Sequence, residues 1–313
     1  MNYDRNAFVK CTVPAPEVAR LKGLGCLRDK TTPDAFNCRV LTRNGRISAE
    51  EMHAIADAAA RFGNGKIAFT TRQTAEVQGV RFDQVNDMIA FLDAAGLSIG
   101  GTGPRVRPIV SCKGTTCVFG LCDTYALSEK IHHLYYVGYH DVKLPHKFKI
   151  AVGGCPNNCV KPDLNDVGII GQRVPVPNAA LCRGCGACVR ACPIHVAELK
   201  DKKYTHSVEC NRCGRCVAAC PFGALDAVDG YKMTLGGRWG KQVARGQALT
   251  HLFTAADEVL CAVEKAILLF RDKGVAGERF ADTLARIGME EAERLILSDE
   301  LLLRKDEILA KAL

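Results

Sequence analysis

Aromatic residues are scarce in this chain, 6% of 313 residues with a single tryptophan. Nucleic-acid surfaces interleave aromatic rings with basic side chains, so the net charge of +8 points away from a nucleic-acid partner and toward an anionic cofactor or substrate. No apolar run approaches the roughly 20 residues that span a bilayer. The opening residues, MNYDRNAFVKC, hold no apolar signal core, and the expectation is a cytoplasmic chain without a membrane span. A dinucleotide fingerprint is missing too. Gly100-Gly101-Thr102-Gly103-Pro104 follows a helical pattern rather than a strand and opens no helix, so it reads as a linker without a nicotinamide or flavin site.

What the chain has in surplus is cysteine, 17 residues. The cytosol keeps thiols reduced and a chain of this length needs no covalent staples, so the cysteines point to metal. The remaining composition, 48% hydrophobic and 24% charged, is that of a globular protein with a sizeable core.

Residues 1–35 are rich in proline and glycine, with a short helical pattern over 17–22, and read as an irregular arm. Residues 36–103 form an α+β unit. A strand over 36–42 and an Asn44-Gly45 turn precede a helix opened by Ser48, with Glu51 three residues on as a capping box. Short strands over 66–70 and 75–80, a helix over 82–95 and a further strand complete half of a split βαβ sandwich. A helix-like segment over 121–135 separates two cysteine pairs in the next stretch. Pro175 and Pro177 mark a boundary, beyond which residues 180–226 change character. After Tyr231 a strand KMTL leads into Gly236-Gly237-Arg238-Trp239-Gly240. Two helices close the chain, the first with Val259, Val263, Ile267 and Phe270 on one stripe, the second over about 280–311.

Cys182-x2-Cys185-x2-Cys188-x3-Cys192-Pro193 recurs as Cys210-x2-Cys213-x2-Cys216-x3-Cys220-Pro221. This is the spacing of bacterial two-cluster ferredoxins, in which the fourth cysteine of each run crosses to the other cluster. Cys182, Cys185, Cys188 and Cys220 are therefore expected to hold one [4Fe-4S] cluster, and Cys210, Cys213, Cys216 and Cys192 the other. A zinc pair is the competing reading, disfavoured by the terminal Cys-Pro of each run. Two neighbouring clusters make a wire, and the structured regions on either side imply that it leads to a reaction centre. Outside the insert, Cys112 and Cys117 form one pair and Cys155 and Cys159 another, enough for a third cubane. Cys122, four residues beyond Cys117, stays open as an alternative member of the first pair. Cys11, Cys26, Cys38 and Cys261 are left as small apolar residues.

Three stretches carry a resemblance: C-K-G-T-T-C followed by Phe119-Gly120, G-G-C-P-N-N-C followed by D-V-G-I-I-G, and Thr70-Thr71-Arg72-Gln73-Thr74. With the G-G-R-W-G segment they make the chain similar to the sirohaem sulfite and nitrite reductase superfamily, most of all its dissimilatory and anaerobic sulfite reductase branch with a built-in ferredoxin domain. The resemblance implies an arm (1–35), a ferredoxin-like half-domain (36–103), a sirohaem/[4Fe-4S] catalytic α/β domain (104–176 and 228–313) and an inserted two-cluster ferredoxin domain (177–227). It implies that Cys159 ligates both a cubane iron and the sirohaem iron. The family usually spaces its first pair C-x5-C, one residue longer than Cys112 and Cys117, and Lys113-Gly114 matches the family's Cys-x-Gly.

The same resemblance places the substrate-binding cations at Arg39, Arg72, Lys147 and Lys149. In a strand, Lys147 and Lys149 point to one side. Arg107, Arg105, Lys113, Arg238 and Lys241 are candidate partners of the sirohaem carboxylates. His146, beside Lys147, is a candidate proton relay, and the other histidines read as surface or core residues.

The implied function is six-electron reduction of sulfite to sulfide, with three [4Fe-4S] clusters and sirohaem as cofactors. The alternatives are a sirohaem nitrite reductase or a haem-free electron-transfer subunit. Nitrite-reducing relatives tend to have asparagine where this chain has Lys149, which favours sulfite. Relatives repeat the unit twice around a pseudo-twofold axis, so the partners expected are an external electron donor, a ferredoxin or a reductase subunit, and a second copy or a related subunit.

Overall fold

The computed structural model describes residues 9–312. The N-terminal unit contains α1 (Ala15–Leu24), β1 (Cys26–Arg28), β2 (Ala35–Val40), α2 (Ala49–Phe62), β3 (Ile67–Phe69), β4 (Ala75–Arg81) and α3 (Val85–Ala94). Its strands form one antiparallel sheet in the order β1-β2-β4-β3. The alternating burial of β2 puts Phe36, Cys38 and Val40 into a core shared with Ile55, Val77, Met88 and Leu92. The expected capping box is present: the Glu51 N–H donates to Ser48 Oγ at 3.2 Å and the Ser48 N–H to Glu51 Oε2 at 2.6 Å. The further strand is reduced to one bridge between Val40 and Ile99.

One expectation is corrected here. The described part of residues 1–35 is not an irregular arm, because β1 is an edge strand of this sheet and α1 buries Leu21 in the same core. The first eight residues of that arm lie outside the described residues.

The second unit contains β5 (Val110–Ser111), α4 (Thr124–Ile131), β6 (Ile150–Gly153) and β7 (Val167–Pro177). The insert follows, with α5 (Ala187–Arg190), β8 (Ala197–Lys200), β9 (Lys203–His206) and α6 (Arg215–Ala218). Then come β10 (Leu225–Leu235), β11 (Gln247–Phe253), α7 (Ala256–Lys273), α8 (Phe280–Ile287), α9 (Met289–Leu297), α10 (Glu300–Leu303) and α11 (Lys305–Ala310). The sheet order is β11-β10-β7-β6-β5, parallel across β5, β6 and β7 and antiparallel beyond. The stripe Val259, Val263, Ile267 and Phe270 of α7 is fully buried against it. The second terminal helix is instead four short ones, broken at Gly288, Ser298-Asp299 and Arg304.

Pro175 and Pro177 do not interrupt β7. The ladder with β10 runs unbroken from Val167↔Leu235 to Pro177↔Leu225. The Arg173 N–H points out of the ladder, donating to the Arg212 carbonyl at 2.8 Å, whereas the Asn178 N–H turns back to Ala224. By the two-residue period, positions 175 and 177 also face outward, where a proline forfeits no ladder bond. The 11-residue ribbon of β7 and β10 carries the insert at its tip. No helix among the described residues is long and apolar enough to cross a membrane.

Candidate functional site

The two cysteine pairs outside the insert lie on the loops that leave the carboxyl ends of β5 and β6, the end of a parallel sheet where ligands bind. Cys112 follows Ser111, and Cys155 follows Gly153-Gly154. Glycine sets how closely these loops approach. A Cβ on Gly154 would lie 2.7 Å from the Gly114 Cα, and one on Gly120 only 1.9 Å from the Gly114 carbonyl oxygen. The Gly154 N–H donates to Cys112 Sγ at 3.1 Å. The Cys155 thiol is pushed up by burial first, with smaller contributions from Cys112, Cys159 and Cys117. Cys122 sits deeper, where burial pushes its thiol up to about 12, and its Sγ packs on Gly171 and the Gly153 carbonyl.

The loop beyond Cys155 doubles back over a 3₁₀ turn, Pro162–Leu164. This return forms an open cleft of about 460 Å³ in which Cys159, Lys161 and Asn165 face Arg72, Lys149 and Trp239. That volume lies within the range of small-molecule and cofactor sites. Arg72 comes from the N-terminal unit, on the turn between β3 and β4. Gln73 pins that turn by a two-way bond to Ser111, Nε2 to its carbonyl at 2.8 Å and Oε1 from its N–H at 3.0 Å. Arg72 is half-buried. Its Nη1 donates to Asn165 Oδ1 at 2.6 Å and its Nη2 to the Pro108 and Ile150 carbonyls, while Nε has no partner. Burial lowers it to about 9, more than the nearby Asp166 raises it.

Lys147 and Lys149 flank Phe148, which makes an isolated parallel bridge to Val106 just before β6. Phe148 is fully buried and both lysines are half-buried, so they share a side as alternation demands. Lys149 is lowered to about 8, by burial first and Arg72 next, against the opposing pull of Asp166. Lys147 is lowered by burial, then by Arg279 and Arg107. His146 accepts the Lys147 N–H at 2.7 Å through Nδ1, and burial followed by four surrounding cations lowers it.

Behind the lysines lies a pair the sequence did not disclose. Asp166 is fully buried and meets Arg279 Nη2 at 3.1 and 3.2 Å, while its Oδ2 accepts the Lys149 N–H at 2.9 Å. Burial raises its carboxyl against the lowering pull of Arg279. A signal for Asp166 exists: an acid heading the apolar run VGIIG must find a partner once that run is buried. Arg279 has no local signal, because it reaches the site through the packing of α8.

The remaining expected cations divide. Arg107 lies half-buried beside this group, lowered to about 10 by burial and by Arg39, with Nη1 on the Gly101 carbonyl at 2.5 Å and Nε unpartnered. Arg39 pairs with Glu76 at 3.4 Å across β2 and β4. Arg105 contacts His140 at 3.0 Å, and Lys113 and Lys241 are exposed. Arg238 is not in the cleft. It donates to Asp282 Oδ1 at 2.8 Å and to Gln242, and lines a separate depression, leaving Trp239, 62% exposed, to face the cleft.

In the insert, each cysteine run enters a four-residue helix through a left-handed glycine, Gly186 before α5 and Gly214 before α6. Cys192 lines one small cavity together with Cys210, Cys213 and Cys216, the second run plus the crossing cysteine of the first. Cys188, Cys192 and Cys216 share a core with Tyr204 and Leu225, and Cys182 and Cys220 pack against it. The 210–216 loop abuts the reaction-centre loops. Arg173 pairs with Cys213, a Cβ on Gly214 would meet the Arg173 side chain at 2.5 Å, and the Arg215 guanidinium lies 4.8 Å from the Phe119 ring.

Two cysteine pairs on neighbouring loops stand beside a cation-lined cleft, with a second cysteine-rich module against them, and no group of three or more potential ligands among the described residues is already drawn together around a single-ion site. Residues 102–302 match the nitrite and sulphite reductase 4Fe-4S domain and residues 28–95 the nitrite/sulfite reductase ferredoxin-like half domain, and the chain belongs to that family. It is 34% identical over 261 residues to the coenzyme F420-dependent sulfite reductase of Methanocaldococcus jannaschii, covering 80% of this chain and 41% of that one. An uncharacterized protein of the same organism is 33% identical over 82% of this chain and 89% of its own. An anaerobic sulfite reductase component of Salmonella typhimurium is 33% identical over 48% of each chain. The chain thus spans well under half of the first relative's length. Among solved structures, dissimilatory sulfite reductase I matches with a TM-score of 0.67 at 21% identity, over 84% of this chain and 69% of that one, a likeness of fold.

Proposed function

We propose that the chain is the catalytic unit of a sulfite reductase, carrying sirohaem and a [4Fe-4S] cluster on Cys112, Cys117, Cys155 and Cys159, with Cys159 shared between them. Two further [4Fe-4S] clusters belong to the insert, on Cys182, Cys185, Cys188 and Cys220 and on Cys210, Cys213, Cys216 and Cys192. The observation that carries this reading is the cleft in which Arg72 and Lys149 face Cys159. Arg72 and Arg107 support the fit independently, since each keeps a buried Nε without a partner, a donor suited to an oxyanion or a carboxylate-rich macrocycle.

Bound there, sirohaem and the cluster supply an iron position for the anion and the route for electrons. The chain supplies charge and protons. Bisulfite becomes hydrosulfide and three waters by uptake of six electrons and six protons, so every sulfur–oxygen bond broken needs a proton at the leaving oxygen. Lys149, lowered to about 8, is charged at neutral pH yet releases a proton readily. Arg72 is fixed by Asn165 and two backbone carbonyls, so it holds charge in place without reorganising. Lys147, Arg107 and Arg39 extend the positive field, and Asp166 with Arg279 sets the position of Lys149. An external donor protein feeds the insert, and a second copy or a related subunit completes the assembly.

The test is an absorption spectrum of the anaerobically purified protein followed by steady-state assays. A sirohaem band with faster turnover of sulfite than of nitrite is expected, and absence of the band overturns the reading. Lys149→Asn is expected to depress sulfite reduction relative to nitrite reduction, and an unchanged ratio removes Lys149 from substrate choice.

A further inference from the structure

The two cysteine runs of the insert are near-repeats in sequence but not in surroundings. The 210–216 loop is occupied on the protein side. It pairs with Arg173, seats Gly214 on that side chain and sets Arg215 over Phe119, two residues after Cys117. Cys210, Asn211 and Arg212 also face Pro156 and Asn158, inside the Cys155–Cys159 loop, across one cleft. The contacts of the 182–188 loop stay within the insert. Arg190 Nη1 donates to the Cys185 carbonyl at 3.2 Å, Lys203 Nζ to the Ala179 and Cys182 carbonyls at 2.6 and 2.9 Å, and Cys182 Sγ to the Lys202 carbonyl at 3.8 Å. Cys185 is exposed.

Charge follows the same division. Residues 179–203 carry five basic side chains, Arg183, Arg190, Lys200, Lys202 and Lys203, against Glu198 and Asp201, and all seven are exposed. Residues 204–226 carry two of each sign, Arg212 and Arg215 against Glu209 and Asp226. The outer half is therefore the basic one. A basic rim around an exposed cysteine loop steers an acidic partner by long-range attraction and fixes its register at close range.

We infer that the insert is polarised, with the 210–216 loop facing the reaction centre and the 182–188 loop serving as the port where an acidic one-electron carrier protein docks against Arg183, Lys200 and Lys202. This rests on the iron–sulfur reading of the insert. Electrons enter singly at the outer loop, and each leaves the carrier oxidised by one electron as the outer cluster is reduced by one. Arg215 and Phe119 keep the inner loop seated on the reaction-centre loop, which makes them positioning residues.

The experiment uses the holoprotein and, as probe, a small acidic [2Fe-2S] ferredoxin. Iron and sulfide per chain are measured first, because a protein lacking the insert clusters overturns the iron–sulfur reading itself, separately from the docking claim. Binding is then measured at low and at physiological salt for the wild type, for the Arg183→Glu/Lys202→Glu double variant and for a Lys66→Glu/Lys143→Glu control of equal charge change. Expected are binding that weakens with salt, a further loss of about tenfold in the Arg183/Lys202 variant, and no loss in the control. Hydrogen exchange of the complex should show protection over 180–190 and 198–203. Absence of binding by the wild type, equal losses in both variants, or protection centred on 210–216 would each overturn the port.

Discussion

Phe148 and Phe280 meet edge to face with ring centroids 5.2 Å apart, and Phe270 closes the triangle at 5.7 and 5.3 Å. Each of the first two is the sequence neighbour of a cation in the site. Phe148 stands between Lys147 and Lys149, and Phe280 follows Arg279. The apolar contact therefore delivers the positive charges, and the buried Asp166 between them keeps the gathering of cations tolerable. Truncating the anchor tests this. Phe148→Ala is expected to cost about 3–5 kcal/mol in chemical denaturation and to lower turnover at conditions where the variant stays folded. Phe148→Leu should recover most of both.

Asp166→Asn leaves Arg279 without its counter-charge in a buried place. Breaking such a pair from one side costs about 3–5 kcal/mol, read as a fall in the denaturation midpoint. An Asp166→Leu/Arg279→Met double variant should regain much of that stability while losing activity, because it removes the stranded charge but no longer positions Lys149.

The pH dependence follows from Lys149. Its folded value of about 8 lies below the ordinary 10.5, so between those values the unfolded chain binds the proton that the folded chain has released. Stability from this group should rise with pH through that window, the burial of its charge being a cost only at lower pH. Activity should move the other way. The basic limb of kcat/KM for sulfite is expected near pH 8 and should shift upward in Lys149→Arg, as measured by pH profiles of both proteins.

Gly120→Ala places a methyl group against the Gly114 carbonyl, where no side-chain rotation can relieve it. The 114–117 turn that carries Cys117 must then open away from residue 120. Iron and sulfide content per chain should fall relative to the wild type, whereas unchanged content would show that the glycine contact is dispensable.

The parts legible in the sequence are those written in local chemistry. Ser48 and Glu51 announce the start of α2, and the 3.6-residue stripe through Val263 and Ile267 announces α7. Cysteine spacing marks both runs of the insert, and Lys147 and Lys149 are legible because alternation around one buried residue needs no distant information. Arg279 was hidden because nothing near it in sequence marks it, since it acts through Phe280, packed 132 residues from Phe148. The break-up of the last helix was hidden because the apolar positions of α8 to α11 keep a helical rhythm across Gly288 and Ser298. Arg238 misled in the opposite way, its motif suggesting the cleft while its guanidinium turns to Asp282. Strand β11 was missed because Gln247–Phe253 is exposed at alternate and adjacent positions alike, giving no clean two-residue pattern.

The ribbon of β7 and β10 brings the two ends of the insert back side by side, at Pro177 and Leu225, in register with each other. Cut there and closed by a short turn, it becomes an ordinary hairpin at the edge of the parallel strands. A fold that offers such a socket can gain, exchange or shed its cysteine-rich module in one genetic event without rerouting any strand of the five-stranded sheet.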